Sequence, residues 1–186
     1  MQVSSYILTI IQELTENLTK IDNSQADEFI KKIKGAGHIF LSGVGRSGLA
    51  INAFANRLVH LGYSVSIVGE ISSPHSKPGD LVIICSGSGE TKNLKNLAEQ
   101  AIQTNSTIVL VTMRETSTIA QMSEVVLTLP GSVKDATEYN EQTSLQPMGT
   151  VFEQLAFLVF DGIFLKLMDE NDENSQTMYA RHADFE

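Results

Sequence analysis

The chain has 186 residues, 42% of them hydrophobic, and a formal net charge of −9. That length suits one domain with one substantial core, and the acidic balance argues against nucleic acid, whose binding rests on a Lys/Arg footprint. No apolar run approaches the roughly 18–20 residues that cross a bilayer, and the N-terminal apolar run lacks a positive region before it, so a cytoplasmic protein with no membrane partner is expected. Screening confines the general acidic field to about 8–10 Å at physiological salt. An anionic small ligand is therefore compatible with this charge wherever backbone amides or a placed arginine make one spot positive. Cys85 is the single cysteine and closes the apolar run LVIIC. It excludes an internal disulfide and a cysteine-rich zinc site, and reads as a buried, inert thiol. His38, His60, His75 and His182 show neither HxxxH nor HxH spacing. No metal and no cofactor is expected.

Two helices are predicted to open the chain. Ile7, Leu8, Ile11, Leu14 and Leu18 recur at three- and four-residue spacing, which gives one apolar stripe. A second helix is expected over 24–34, with Ser24 as N-cap and Gly35 as C-cap. Strands and helices then alternate. Strands are predicted at 38–42, 64–68, 81–85, 107–112 and 125–130, and helices at 48–62, 90–104 and 117–123. Several strands are uniformly apolar, as in a parallel sheet covered on both faces. The reading is a single domain over 1–186: an N-terminal helical segment to residue 35, a doubly wound, flavodoxin-like α/β core of five parallel strands over 36–170, and a tail over 171–186. In that strand order, ligands sit at the carboxyl ends of the strands where the order reverses.

The stretch 131–148 is polar and aperiodic, a pattern found in functional or disordered loops. A long helix is predicted over 149–168, burying Phe152, Leu155, Ala156, Val159 and Ile163. The acidic tail closes with Met178, Tyr179, Arg181, His182 and Phe185, which is too varied for a plain solvated end. The apolar stripe and the tail both offer side chains that one small domain does not cover, so a homo-oligomer, dimer or tetramer, is expected.

Two turns are suited to a phosphate. Gly43-Val44-Gly45-Arg46-Ser47-Gly48 follows the first strand and enters a helix. It satisfies GxGxxG, with Glu70 placed where a ribose-binding acid would stand; the plainer reading is a tight turn with Ser47 as helix cap. Ser86-Gly87-Ser88-Gly89-Glu90-Thr91 follows the third strand and also enters a helix. Both turns would face one crevice, offering amides, helix starts and hydroxyls to an anion. Hydrogen bonds to a charged group contribute roughly 1.5–3 kcal/mol each, so several together can offset phosphate desolvation without a lysine cluster. The second hydroxyl-rich turn is surplus to a dinucleotide fold and favours a phosphomonoester. Capping alone would also explain Ser86, Ser88 and Thr91.

GVGRSGL, NRLVHLG, VGE before a proline-containing loop, PGDLVIICSGSGET, LQPMGTVFEQ and the closing MYARHADFE together resemble the 6-phospho-3-hexuloisomerase family of the sugar isomerase (SIS) fold. The resemblance spans about residue 35 to the C-terminus, with HADFE where HANLE is more usual. It implies interconversion of D-arabino-hex-3-ulose 6-phosphate and fructose 6-phosphate through an enediol, a step of formaldehyde assimilation by the ribulose monophosphate route, with no redox cofactor. Such chemistry needs one base and a donor for the developing oxyanion. The resemblance implies Glu153 as base, although Thr150-Val151-Phe152-Glu153 also reads as a capping box. It implies His182 as proton shuttle or oxyanion donor, in its own or a neighbouring subunit. Arg46, Ser47, Ser86, Gly87, Ser88, Gly89, Glu90 and Thr91 are the expected substrate-binding residues, with Arg46 equally suited to bridging an acid. His60 suits a helix end, His38 reads as structural, and His75 and Glu70 stay unassigned. Other readings are a related aldose–ketose phosphate isomerase, a sugar-phosphate sensor without catalysis, and a nucleotide-binding oxidoreductase.

Overall fold

In the computed structural model, which describes residues 2–131, 144 and 146–182, the apolar runs form five short strands. These are β1 (Ile39–Gly43), β2 (Val65–Ile67), β3 (Leu81–Cys85), β4 (Thr107–Thr112) and β5 (Val125–Thr128). All neighbours pair in parallel, in the order β2-β1-β3-β4-β5. This is the flavodoxin-like order expected from the alternation, with its reversal between β1 and β3.

Alternate strand residues go to opposite faces. Ile39, Leu41, Ile83, Cys85, Val109 and Val111 join one core with the helices α2 (Asn23–Gly35), α3 (Arg46–His60) and α6 (Thr150–Glu170). Phe40, Val82, Ile84, Ile108 and Leu110 join a second core with α4 (Lys92–Gln103) and α5 (Thr118–Met122). Both faces are covered, which is why the strands are continuously apolar. Phe54 of α3 stacks on Phe160 of α6 with centroids 4.6 Å apart, and meets Phe29 of α2 edge-on at 6.2 Å. These rings fix α6 against α3 and so set where the first turn of α6 lies.

Several boundaries differ from the expectation, for local reasons. Asp22, not Ser24, caps α2, accepting from the Ser24 amide at 2.8 Å. Gly35 is the last helical residue rather than a left-handed cap, and the chain leaves through Ala36 in extended conformation. α3 starts at Arg46, because Gly45 turns the chain with φ +62° and is the N-cap; Ser47 lies inside the helix. The stripe foreseen on α1 (Val3–Leu18) faces outward: Ile7, Leu8 and Ile11 are 49%, 68% and 53% exposed, and of the stripe only Leu14 packs on the core. In the tail, Asn174 caps a short helix α7 (Ser175–Tyr179) through a reciprocal bond with Thr177. Of the aperiodic stretch, 132–143 and 145 lie outside the described residues, as does Phe185. No helix among the described residues is long and apolar enough to cross a membrane.

Cys85 is fully buried. Burial pushes its thiol from an ordinary 9.0 up to about 12; the hydroxyl of Ser47 opposes this shift and the charge of Glu153 adds to it. The inert reading therefore holds. A thiol reagent is expected to label the folded protein far more slowly than the urea-unfolded chain. Because the unfolded thiol ionises near pH 9 and the folded one only near 12, the stability this group lends is complete below pH 9 and declines as pH rises toward 12. Urea midpoints measured across that range would check it. A Cβ on Gly48 would lie 2.8 Å from the Gly43 carbonyl oxygen, a backbone atom. Gly48→Ala is expected to cost about 1–3 kcal/mol in urea unfolding, by prising the start of α3 off the end of β1.

Candidate active site

The reversal between β1 and β3 opens the sheet at its carboxyl edge. The turn after β1 delivers Gly45, Arg46 and Ser47 there, and the turn after β3 delivers Ser86, Gly87, Ser88 and Thr91. The start of α6 brings Gly149, Phe152 and Glu153 to the same place. Three helices of 15, 12 and 21 residues thus begin around one crevice of about 290 Å³. Each helix start leaves amides without intrahelical acceptors and carries roughly half a positive charge.

The turn after β3 is held by its own hydroxyls. Ser86 Oγ accepts from the Gly89 amide at 3.2 Å and lies 3.5 Å from Thr91 Oγ1; Ser88 Oγ accepts from the Glu90 amide at 3.2 Å. Thr91 is the N-cap of α4, yet its side chain makes no capping bond, so capping does not account for it. Gly89 has φ +63°, and a Cβ there would lie 2.0 Å from Ser117 Oγ; only glycine fits that corner.

The carboxylate of Glu153 enters from the first turn of α6 with its side chain 10% exposed. Its Oε2 stands 2.7 Å from Arg46 Nε, but the N–H does not point along that line, and Oε2 is buried without a hydrogen-bond donor. Arg46 Nη1 donates to Thr150 Oγ1 at 3.3 Å, and Thr150 Oγ1 donates to the Pro147 carbonyl at 2.6 Å. The capping box read from the sequence does not form. Gly149, in left-handed conformation at φ 77°, is the N-cap, without a side-chain capping bond.

Three expected site residues stand elsewhere. Gly89 and Glu90 do not line the crevice. The Glu90 carboxylate accepts from the Thr118 amide at 2.7 Å and from its hydroxyl, and pairs with Lys95 at 3.2 Å; the Thr118 amide foremost holds its carboxyl below the usual range. It joins the start of α5 to α4. His182 lies at the other end of α3 from Arg46, about 20 Å away at 1.5 Å per residue. Its ring stacks on His60 at 5.3 Å and on Tyr179 at 6.0 Å. Beside it Arg181 donates to the His60 carbonyl at 2.9 Å and to Glu173 at 2.6 Å.

His38 is structural, with its ring nitrogens 2.7 and 3.0 Å from Ser64 and Ser66 Oγ. Glu70 does not line the crevice, and His75 lines a separate hollow between the sheet and α4. Among the described residues, no three His, Cys, Asp or Glu side chains converge as metal ligands.

The sequence reading missed the apolar wall. Met113, Met148 and Phe152 line the crevice, and Cβ atoms on Gly87 and Gly131 would strike Met113 at 2.8 and 2.4 Å. Met113 directly follows β4, so the rule that ligands sit at strand carboxyl ends could have found it. Nothing distinguishes Phe152 from its core neighbours in sequence.

Residues 32–158 match the SIS domain family model. The chain is 40% identical to a 3-hexulose-6-phosphate isomerase of Bacillus subtilis, over all of both chains. It is 33% identical to one of Methylomonas aminofaciens, covering 99% of this chain and 100% of that one. A crystal structure from Methanococcus jannaschii, from which a 3-hexulose-6-phosphate isomerase function was inferred, superposes with TM-score 0.80 at 28% identity, covering 97% of each chain. A crevice ringed by three helix starts, with one buried carboxylate at its edge, is thus set in a chain that belongs to the SIS-domain family and, within it, to the 3-hexulose-6-phosphate isomerases.

Proposed function

We propose that this chain interconverts D-arabino-hex-3-ulose 6-phosphate and fructose 6-phosphate, with Glu153 as the base. The phosphate docks on Ser47, Ser86, Gly87, Ser88 and Thr91, where the starts of α3 and α4 supply amides and Arg46 supplies charge. Glu153 removes the proton from C2 of the 3-ulose, giving an enediolate across C2 and C3. A proton passes from O2 to O3, and Glu153 returns its own to C3. The observation that carries this reading is the Glu153 carboxylate: 10% exposed, beside both serine turns, with one oxygen that receives no aligned donor. A buried oxygen without an aligned hydrogen-bond donor is costly in a core, but it suits a proton acceptor.

His182 is the proposed oxyanion donor in a neighbouring subunit's crevice, since in its own chain it stands at the far end of α3. A homo-oligomer is supported by the exposed Val3, Ile7, Leu8 and Ile11 of α1 and Phe157, Leu158 and Leu165 of α6. A phosphosugar dianion does not cross a bilayer unaided, which favours the cytoplasm as the place of work.

Glu153→Gln is expected to lower kcat by about 10²–10⁴ with KM little changed, measured with fructose 6-phosphate; near-normal turnover would assign the base elsewhere. Glu153→Gln and His182→Ala subunits, each inactive alone, are expected to regain activity when unfolded together and refolded as mixed oligomers. No recovery would remove His182 from the neighbour's crevice.

A further inference from the structure

Among the described residues, Arg46 is the one cationic side chain lining the crevice, and two anions need it. One is Glu153, whose Oε2 it approaches to 2.7 Å. The other, on the reading proposed above, is the phosphate held by the serine turns that border the same crevice. The tie to Glu153 is close but poorly aligned. The Nε–H is out of line with Oε2, so the two-pronged geometry that makes arginine–carboxylate pairs strong is not used. The bond from Nη1 to Thr150 is long at 3.3 Å, and the side chain is 57% exposed. A phosphomonoester dianion offers three oxygens to the guanidinium fork and more charge than a carboxylate.

We propose that Arg46 is an exchangeable counter-ion: it neutralises Glu153 until the phosphate takes it, and the exchange uncovers the Glu153 carboxylate to the sugar carbons. Substrate arrival would then switch on the base, and a carboxylate would not stand uncompensated in the crevice between turnovers. The coupling is reciprocal. Whatever phosphate does to Glu153 through Arg46, Glu153 does to phosphate.

Reciprocity gives the test: calorimetric titration of inorganic phosphate at pH 7.5 into wild type, Glu153→Gln, Arg46→Gln and the double variant. Glu153→Gln is expected to tighten phosphate binding by roughly three- to fivefold, because Arg46 no longer has to be drawn away. In the Arg46→Gln background the same substitution is expected to change little. Plain repulsion between Glu153 and phosphate would also tighten binding, but it would persist or grow without Arg46. Tightening that is equal or larger in that background overturns the exchange while leaving the phosphate site in place. No binding of phosphate or fructose 6-phosphate by folded wild type overturns both the exchange and the functional reading. If Arg46→Gln does not fold by circular dichroism, Arg46→Lys replaces it. The shorter, point-charged lysine is expected to show a smaller gain on Glu153→Gln than arginine does, and an undiminished gain contradicts the exchange.

Discussion

An acidic chain that handles a dianion must make one place positive, and in this fold three helix starts converge on one crevice. The sheet order leaves a gap between the carboxyl ends of β1 and β3, and α3, α4 and α6 all begin around it. Their first-turn amides and aligned dipoles supply positive potential without a lysine cluster. The arrangement depends on backbone approaching backbone: a Cβ on Gly43 would meet Gly48 at 3.1 Å, so helix start and strand end are nearly in contact. Larger side chains at that joint would move the start of α3 away from the crevice.

The same field acts on Glu153. Its place in the first turn of α6 suits a negative charge, and its side chain is 10% exposed in a crevice that Phe152 and Cys85 also line. Arg46 stands beside the Glu153 carboxylate, in the crevice that the serine turns also line. The division of labour follows the physics. On the proposed reading, backbone amides hold the phosphate and the Arg46 side chain balances the charge of Glu153.

Much of this was legible in the sequence. The apolar strands alternating with amphipathic helices gave the sheet and its strand order, and the two glycine- and serine-rich turns at strand ends gave Ser47, Ser86, Gly87, Ser88 and Thr91 as crevice residues. What was not legible depends on where a side chain turns. Glu90 sits in the right motif but faces Thr118 and Lys95, and a sequence does not show which way a residue at a turn points. The N-terminal stripe has helical spacing, yet its Ile7, Leu8 and Ile11 face outward, because periodicity identifies an apolar face without naming what covers it. Thr150 and Glu153 have capping-box spacing, but Gly149 took the cap and freed both for Arg46 and the crevice.

The central claim is that Glu153 moves a proton at the carbon next to the carbonyl. The most direct measurement is incubation with fructose 6-phosphate in deuterated water, following the hydrogen at C3 by NMR. The account predicts that deuterium replaces it in the wild type and that the replacement slows by at least roughly a hundredfold in Glu153→Gln. A C3 hydrogen that exchanges equally fast in both proteins would contradict it.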